Sequence, residues 1–205
     1  MSEINSGNLK QKGLTEDAPL IIGIGASAGG LEALQQFFSC MPSNSGFSFV
    51  VVQHLSPDYK SLMADILGKY TDMQVIQVLS DTEVMPNTVY LIPPKKYMTL
   101  KKGILVLSDY ASGTLNHPID IFFESLANEK KEHAIVAVLS GTGSDGTNGI
   151  KVIKERGGLV IAQDPETAKF DGMPRSVIKT GLSDFVLSPE EIADEILNFS
   201  KAPAL

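Results

Sequence analysis

The sequence predicts a three-layer, doubly wound α/β domain on a mainly parallel sheet, with an inserted β-hairpin. Three observations carry that prediction. Short apolar runs of strand length alternate with segments of helical period, and the alternation repeats along the 205 residues. The strand runs are continuously apolar rather than alternating with polar residues, which suits a sheet covered on both faces. The length matches one domain with one large core.

The elements follow in order. Residues 20–24 form an apolar run, and Leu31, Leu34, Phe37 and Phe38 behind it share one helix face. Residues 47–52 read as the second strand, and Leu62, Met63, Ile66, Leu67 and Tyr70 stripe the next helix, which leads to a strand at 74–78. Residues 89–92, 97–100 and 104–107, the last two flanking Lys102-Gly103, read as short strands including a hairpin, an excursion inserted into the α/β rhythm. Ile119, Phe122, Phe123 and Leu126 then fit a helix opened by Pro118. A strand at 134–139, a helix at 147–156 closed by Gly157-Gly158, and strands at 159–162 and 184–187 resume the pattern. Ser188-Pro189-Glu190-Glu191 has the make-up of a capping box and opens the last helix.

Composition narrows the function classes. Seventeen basic against 24 acidic residues give a net charge of -7, and Arg156 and Arg175 are the two arginines. A nucleic-acid partner is not expected, since wrapping a phosphate backbone needs a basic face. One cysteine, Cys40, allows no internal disulfide or thiolate cluster and suits a cytoplasmic protein, and it reads as packing along with the methionines. The first nineteen residues carry charges of both signs and no apolar core of a signal peptide. They read as a flexible polar leader to a domain at 20–200, with a short tail at 201–205. No apolar run approaches the roughly 20 residues of a membrane span, so no membrane insertion is expected.

Sites in open parallel sheets form at the carboxyl ends of strands near the point where strand order reverses. The first strand runs into Gly23-Ile-Gly-Ala-Ser27-Ala28-Gly-Gly, the second into Gln53-His54, and the strand ending at Leu139 into Ser140-Gly-Thr142-Gly-Ser-Asp145-Gly. The first loop admits two readings. Gly23-x-Gly25-x-x-Ala28 satisfies a dinucleotide fingerprint, whereas Gly25-x-Ser27-x-Gly29 satisfies a nucleophile elbow. A dinucleotide site wants an acid after the second strand, and this chain has Gln53-His54 there. A histidine is what a serine nucleophile requires, because the hydroxyl is inert until a base takes its proton. Ser27 as nucleophile, His54 as base and Asp145 as orienting acid make a complete set. Asp145 as a cap of the helix after Gly146 is the plainer alternative, and His117 is the rival base. His133 reads as exposed, Asp164-Pro165 and Asp171-Gly172 as turns. No metal is expected, for the three histidines are far apart in sequence.

Four motifs in register, Gly25-Ala-Ser-Ala-Gly-Gly, Val52-Gln-His, Gly141-Thr-Gly-Ser-Asp-Gly and Asp171-Gly-Met-Pro-Arg175, resemble the catalytic domain of the chemotaxis receptor methylesterase, CheB. The wording is especially similar to the methylesterase domain at the start of large CheB/CheR hybrid signalling proteins. The resemblance implies hydrolysis of glutamate γ-methyl esters on methyl-accepting chemoreceptor helices, with methanol released and glutamine deamidation as a companion activity. It implies Ser27, His54 and Asp145 as catalytic residues, backbone amides of Ala28 and Thr142 near the oxyanion, no cofactor, and fusion to or association with a CheR-like methyltransferase module. Met173 and Arg175 are then expected on the substrate rim, around an open cleft that admits a receptor helix. The family's phosphoacceptor receiver domain has no counterpart in these residues, so regulation in cis is not expected. The alternatives are a nucleotide-binding module and a catalytically silent interaction domain of a larger signalling protein.

Overall fold

The structure is a computed structural model, and it describes residues 19–53, 62–110 and 116–201. The elements are β1 (Ile21–Ala26), α1 (Gly30–Cys40), β2 (Ser48–Gln53), α2 (Leu62–Leu67), β3 (Gln74–Gln77), β4 (Thr82–Glu83), β5 (Thr88–Leu91), β6 (Lys96–Lys101) and β7 (Ile104–Asp109). They continue with α3 (Pro118–Lys130), a short 3-10 turn (Lys131–His133), β8 (Ile135–Val138), α4 (Gly149–Glu155), β9 (Leu159–Gln163), α5 (Gly172–Ile178), β10 (Phe185–Leu187) and α6 (Pro189–Lys201).

Seven strands form one sheet in the order β10-β9-β8-β1-β2-β5-β3, and every pairing is parallel. From β1 the chain winds outward through β2. It returns to β1's other side with β8 and winds the opposite way to β10, so strand order reverses between β1 and β8. The buried strand residues alternate between two apolar layers. Ile22, Ile24, Phe49, Val51, Ile135, Ala137 and Ile161 meet Leu34, Phe37 and Phe38 of α1, Leu67 of α2 and Ile192 and Ile196 of α6. Val50, Val52, Val136, Val138 and Val160 meet Phe122, Phe123 and Leu126 of α3, Ile150 and Ile153 of α4 and Val177 of α5. This is why the strands read as unbroken apolar runs: both pleat faces are covered. Each fully buried aromatic or aliphatic side chain contributes about 1.5–3 kcal/mol. Phe37, Phe38 and Phe49 add edge-to-face packing at centroid separations of 5.0–5.6 Å.

The hairpin excursion proves differently bounded than expected. β5 belongs to the main sheet, between β2 and β3, because all four of its residues are buried there. The inserted unit is a three-stranded antiparallel sheet, β4-β7-β6, whose short polar strand Thr82-Glu83 has no apolar signal to betray it. Its Met98, Leu100 and Leu105 pack into the α3 layer. Glu129 of α3 accepts from Lys102 N–H and, at 2.6 Å, from Gly103 N–H in the hairpin turn. The second helix stops at Leu67 rather than reaching Tyr70, which is 40% exposed. Cys40 is exposed at the end of α1 rather than packed. Among the described residues no helix is long and apolar enough to cross a membrane.

Helix ends explain several loop positions. Gly157 N–H donates to Lys154 C=O and Gly158 N–H to Ile153 C=O, the paired bonds that close α4. Ser188 and Glu191 form the expected capping box, with Ser188 N–H to Glu191 Oε2 at 2.9 Å and Glu191 N–H to Ser188 Oγ at 3.3 Å. Helices α3 and α4 cap one another across the chain. Asp145, in the loop before α4, accepts from Ile119 and Asp120 N–H, each at 3.0 Å, at the start of α3. Asp120 in turn accepts from Asn148 N–H at 2.9 Å and Gly149 N–H at 2.8 Å at the start of α4. Asp120→Ala leaves buried helix-start amides without an acceptor and is expected to lower stability by about 1–2 kcal/mol. Asp120→Asn, which keeps an acceptor oxygen, should cost less. Urea unfolding midpoints check both, and an unchanged midpoint for Asp120→Ala contradicts the capping account.

Candidate active site

Ser27 is the first residue beyond β1, at the sheet's carboxyl edge and beside the reversal of strand order. Its N–H donates to the carbonyl of Ser140 at 3.0 Å, so the turn after β1 is tied to the turn after β8. Its carbonyl accepts from Gly30 N–H at 2.9 Å and from Gln53 Nε2 at 3.3 Å. Gly29, the N-cap of α1, has φ 70, and a Cβ there would sit 2.7 Å from Ser140 Oγ. Only glycine satisfies both the left-handed backbone and that approach.

Ser140 is 1% exposed and joins three segments. Its hydroxyl donates to Ala28 C=O at 2.9 Å and accepts from Phe170 N–H at 3.0 Å, while its own N–H donates to Gln163 Oε1 at 2.8 Å. Gly141 N–H donates to Phe170 C=O and Gly141 C=O accepts from Met173 N–H, both at 2.9 Å. A Cβ at Gly141 would overlap Met173 Sδ and fall 2.9 Å from Ser27 Cβ, so the nucleophile turn, this loop and the start of α5 press together here. Among the described residues, the amide N–H groups of Ala28 and Thr142 donate to no backbone carbonyl.

Asp145 is 5% exposed, and three backbone amides hold its carboxylate: Ile119, Asp120 and Gly146, the last at 2.9 Å. It does cap a helix, but α3 rather than the helix that follows it. His117 Nδ1 lies 3.8 Å from Asp145 Oδ1 with its side chain 45% exposed. His117, Asp120 and Asp145 bring ligand atoms within 4.8 Å of one another, yet the carboxylate oxygens face backbone N–H groups of the helix starts. Tyr110 stands nearby. Burial first, then Tyr97 and Asp145, push its phenol above the ordinary value, so it stays protonated at neutral pH.

His54 lies outside the described residues. The strand that leads to it ends at Gln53, paired with Ala26 beside Ser27. Met173, expected on the rim, is instead fully buried: its side chain faces inward from α5 and fills the space beneath Gly141. Arg175 does lie at the surface, with Nε 2.5 Å from Asp171 Oδ2 and its guanidinium 3.8 Å from Glu166. The hydrogen bond from Arg175 holds the Asp171 carboxyl below its ordinary value. A cleft of about 400 Å³ lined by Thr142, Gly143, Ala168, Lys169, Phe170, Asp171 and Gly172 opens beside the turn. The positions that reading by motif passed over are Gln53 as a contact of Ser27, Asp120, Ser140 and Gln163. Only the acidic residue in α3's first turn left a signal, a weak one.

The glycines also separate the two readings of the first loop. Gly23 and Gly25 are strand residues facing α3, and a Cβ at Gly25 would be 2.7 Å from Ile119. They serve close packing of α3 on β1 rather than approach of a pyrophosphate.

The CheB methylesterase family model matches residues 22–196. A putative protein-glutamate methylesterase/protein-glutamine glutaminase of Leptospira interrogans is 34% identical over 173 residues, which cover 83% of this chain and 90% of that protein. An uncharacterized 104.1 kDa protein of Rhodobacter capsulatus is 45% identical over 137 residues, 67% of this chain but only 14% of that protein's length. The crystal structure of the Thermotoga maritima CheB methylesterase catalytic domain matches with a TM-score of 0.82 at 32% identity, covering 88% of this chain and 98% of that one. Matched along nearly its whole core by family model, relative and solved fold alike, the chain belongs to the CheB methylesterase family.

Proposed function

We propose that this chain is a serine hydrolase that removes methyl groups from glutamate γ-methyl esters on helices of a methyl-accepting receptor. The observation that carries the reading is the contact of Ser27 with the 140–146 loop at the reversal of strand order. That contact supports a site assembled from the turns after β1 and β8, where among the described residues the Ala28 and Thr142 N–H groups donate to no backbone carbonyl.

In the proposed reaction Ser27 Oγ attacks the ester carbonyl while His54 takes its proton. Asp145, fixed by three amides, orients the imidazole and stabilises its charged form. Ala28 and Thr142 N–H groups receive the negative charge that develops on the carbonyl oxygen. The imidazolium then protonates the leaving methoxide, and methanol departs. Water, deprotonated by the same histidine, hydrolyses the acyl-serine and leaves glutamate. Glutamine deamidation follows the same path with ammonia as the leaving group, and the name of the Leptospira relative supports it. The open cleft beside Thr142, with Lys169, Phe170 and the Asp171–Arg175 pair on its margin, suits an outward-projecting ester on a helix rather than a small free ester. A match confined to 14% of a 104.1 kDa relative supports use of such a domain as one module of a longer chain.

Methanol release from methylated receptor fragments tests the reading. Ser27→Ala is expected to abolish both release and labelling by a fluorophosphonate, and wild-type release from that variant refutes the assignment. Asp145→Asn should lower turnover by about 10⁴-fold, as in the serine-protease precedent. It should also lower the unfolding midpoint, because the amide turns a donor toward an α3 N–H. His117→Ala should leave turnover near wild type; a loss as deep as that of Asp145→Asn would make His117 the base.

The margin should not titrate in the working range. Asp171's carboxyl is depressed, so what the Arg175 pair contributes is present above the ordinary carboxylate pKa and is lost only as pH falls through the depressed value. Asp171→Asn is therefore expected to leave the pH–rate profile between about pH 5 and 9 unchanged in shape. A displaced inflection in that variant contradicts this.

A further inference from the structure

We infer that Gln53 is a positioning residue that aims the Ala28 amide at the developing oxyanion, an inference that rests on the reading of Ser27 as nucleophile. Gln53 is the last residue of β2, in register with Ala26. Its Nε2 donates to the carbonyl of Ser27 at 3.3 Å, and Gly30 N–H donates to the same oxygen at 2.9 Å. That carbonyl and the Ala28 N–H belong to one peptide unit. In a trans peptide the two groups point in opposite directions, so holding the oxygen from one side turns the N–H toward the other. The Ala28 N–H so aimed donates to no backbone carbonyl among the described residues. Two donors on one carbonyl also polarise the peptide and strengthen its N–H as a donor.

The side-chain amide carries a second sign of this task. Gln53 Oε1 is buried and, among the described residues, has no hydrogen-bond partner. Turning the amide over would not relieve it, because Oε1 would then face the Ser27 carbonyl, acceptor against acceptor. A buried acceptor without a partner is unfavourable for stability, so an oxygen so placed beside the nucleophile calls for a reason other than folding. The neighbouring anchor is different in kind: Ser140 uses its hydroxyl on the next peptide, at Ala28 C=O and Phe170 N–H, with every polar atom partnered. Among the described residues, Gln53 is the one side chain that hydrogen-bonds to the peptide unit carrying the proposed oxyanion donor.

The test is Gln53→Met, which keeps the length of the side chain and removes the donor. Its kcat should fall by about 10- to 100-fold with KM unchanged, less than deletion of an oxyanion donor costs because the amide remains but is no longer held. Phosphonylation of Ser27 by a fluorophosphonate, which builds charge on the same oxygen, should slow in parallel, and the acidic limb of the pH–rate profile should stay in place. Loss of the orphan oxygen should leave the unfolding midpoint unchanged or raised. Wild-type kcat, a raised KM at constant kcat, or a shifted acidic limb each overturns the inference, the last because it places the effect on the base. Labelling that persists in Ser27→Ala overturns the reading of the site itself. Labelling confined to Ser27 but undiminished in Gln53→Met overturns only the role of Gln53.

Discussion

The hydrogen bond from Ser27 N–H to Ser140 C=O joins the ends of the two central strands where the sheet changes its direction of winding. Parallel neighbours diverge there, because β1 leads to a helix on one side and β8 to a helix on the other, and a crevice opens. Without a bridge, the two turns would be independent surface loops. The bridge is reinforced by the Ser140 hydroxyl and by the fit of Met173 beneath Gly141, so three chain segments far apart in sequence form one rigid edge. The glycines at 29 and 141 are needed because there is no room for a side chain where these segments touch.

A second constraint couples the site to the stability of the fold. Asp145 and Asp120 each close the start of the other's helix, and neither carboxylate is a surface group. A carboxylate that accepts several buried amides cannot wander. Asp145 is therefore held in place by the demands of α3 before any catalytic demand is made of it. The cap and the orienting acid are thus compatible roles of one residue, since the first fixes the geometry that the second requires.

Much of the fold was legible because burial on both faces writes itself into strands as continuous apolar runs and into helices as a stripe. The helix starts at Pro118 and Ser188 were legible for a local reason: proline and the capping box act within one turn of chain. Elsewhere that locality fails. β5 looked like part of a hairpin excursion, but a short apolar run does not state its partner, and the open slot beside β2 decided it. Thr82-Glu83 became a strand only because β7 offered it hydrogen bonds. Met173 turns inward where its motif predicts a rim residue, because a motif gives order along the chain and not the direction of a side chain.

The sequence by itself determined the class of fold, the order of strand-end loops, and a serine and an aspartate standing after the strands that become central. These follow from periodicity and from residue chemistry, which are properties of neighbouring positions. Only the tertiary structure decided that Asp145 serves α3 rather than α4, that Asp120 answers it, that Gln53 reaches the Ser27 carbonyl, and that Gly23 and Gly25 face a helix instead of a phosphate. Each of those pairs residues brought together by the winding of the sheet, and a hydrogen bond across that distance leaves no periodic trace in the chain.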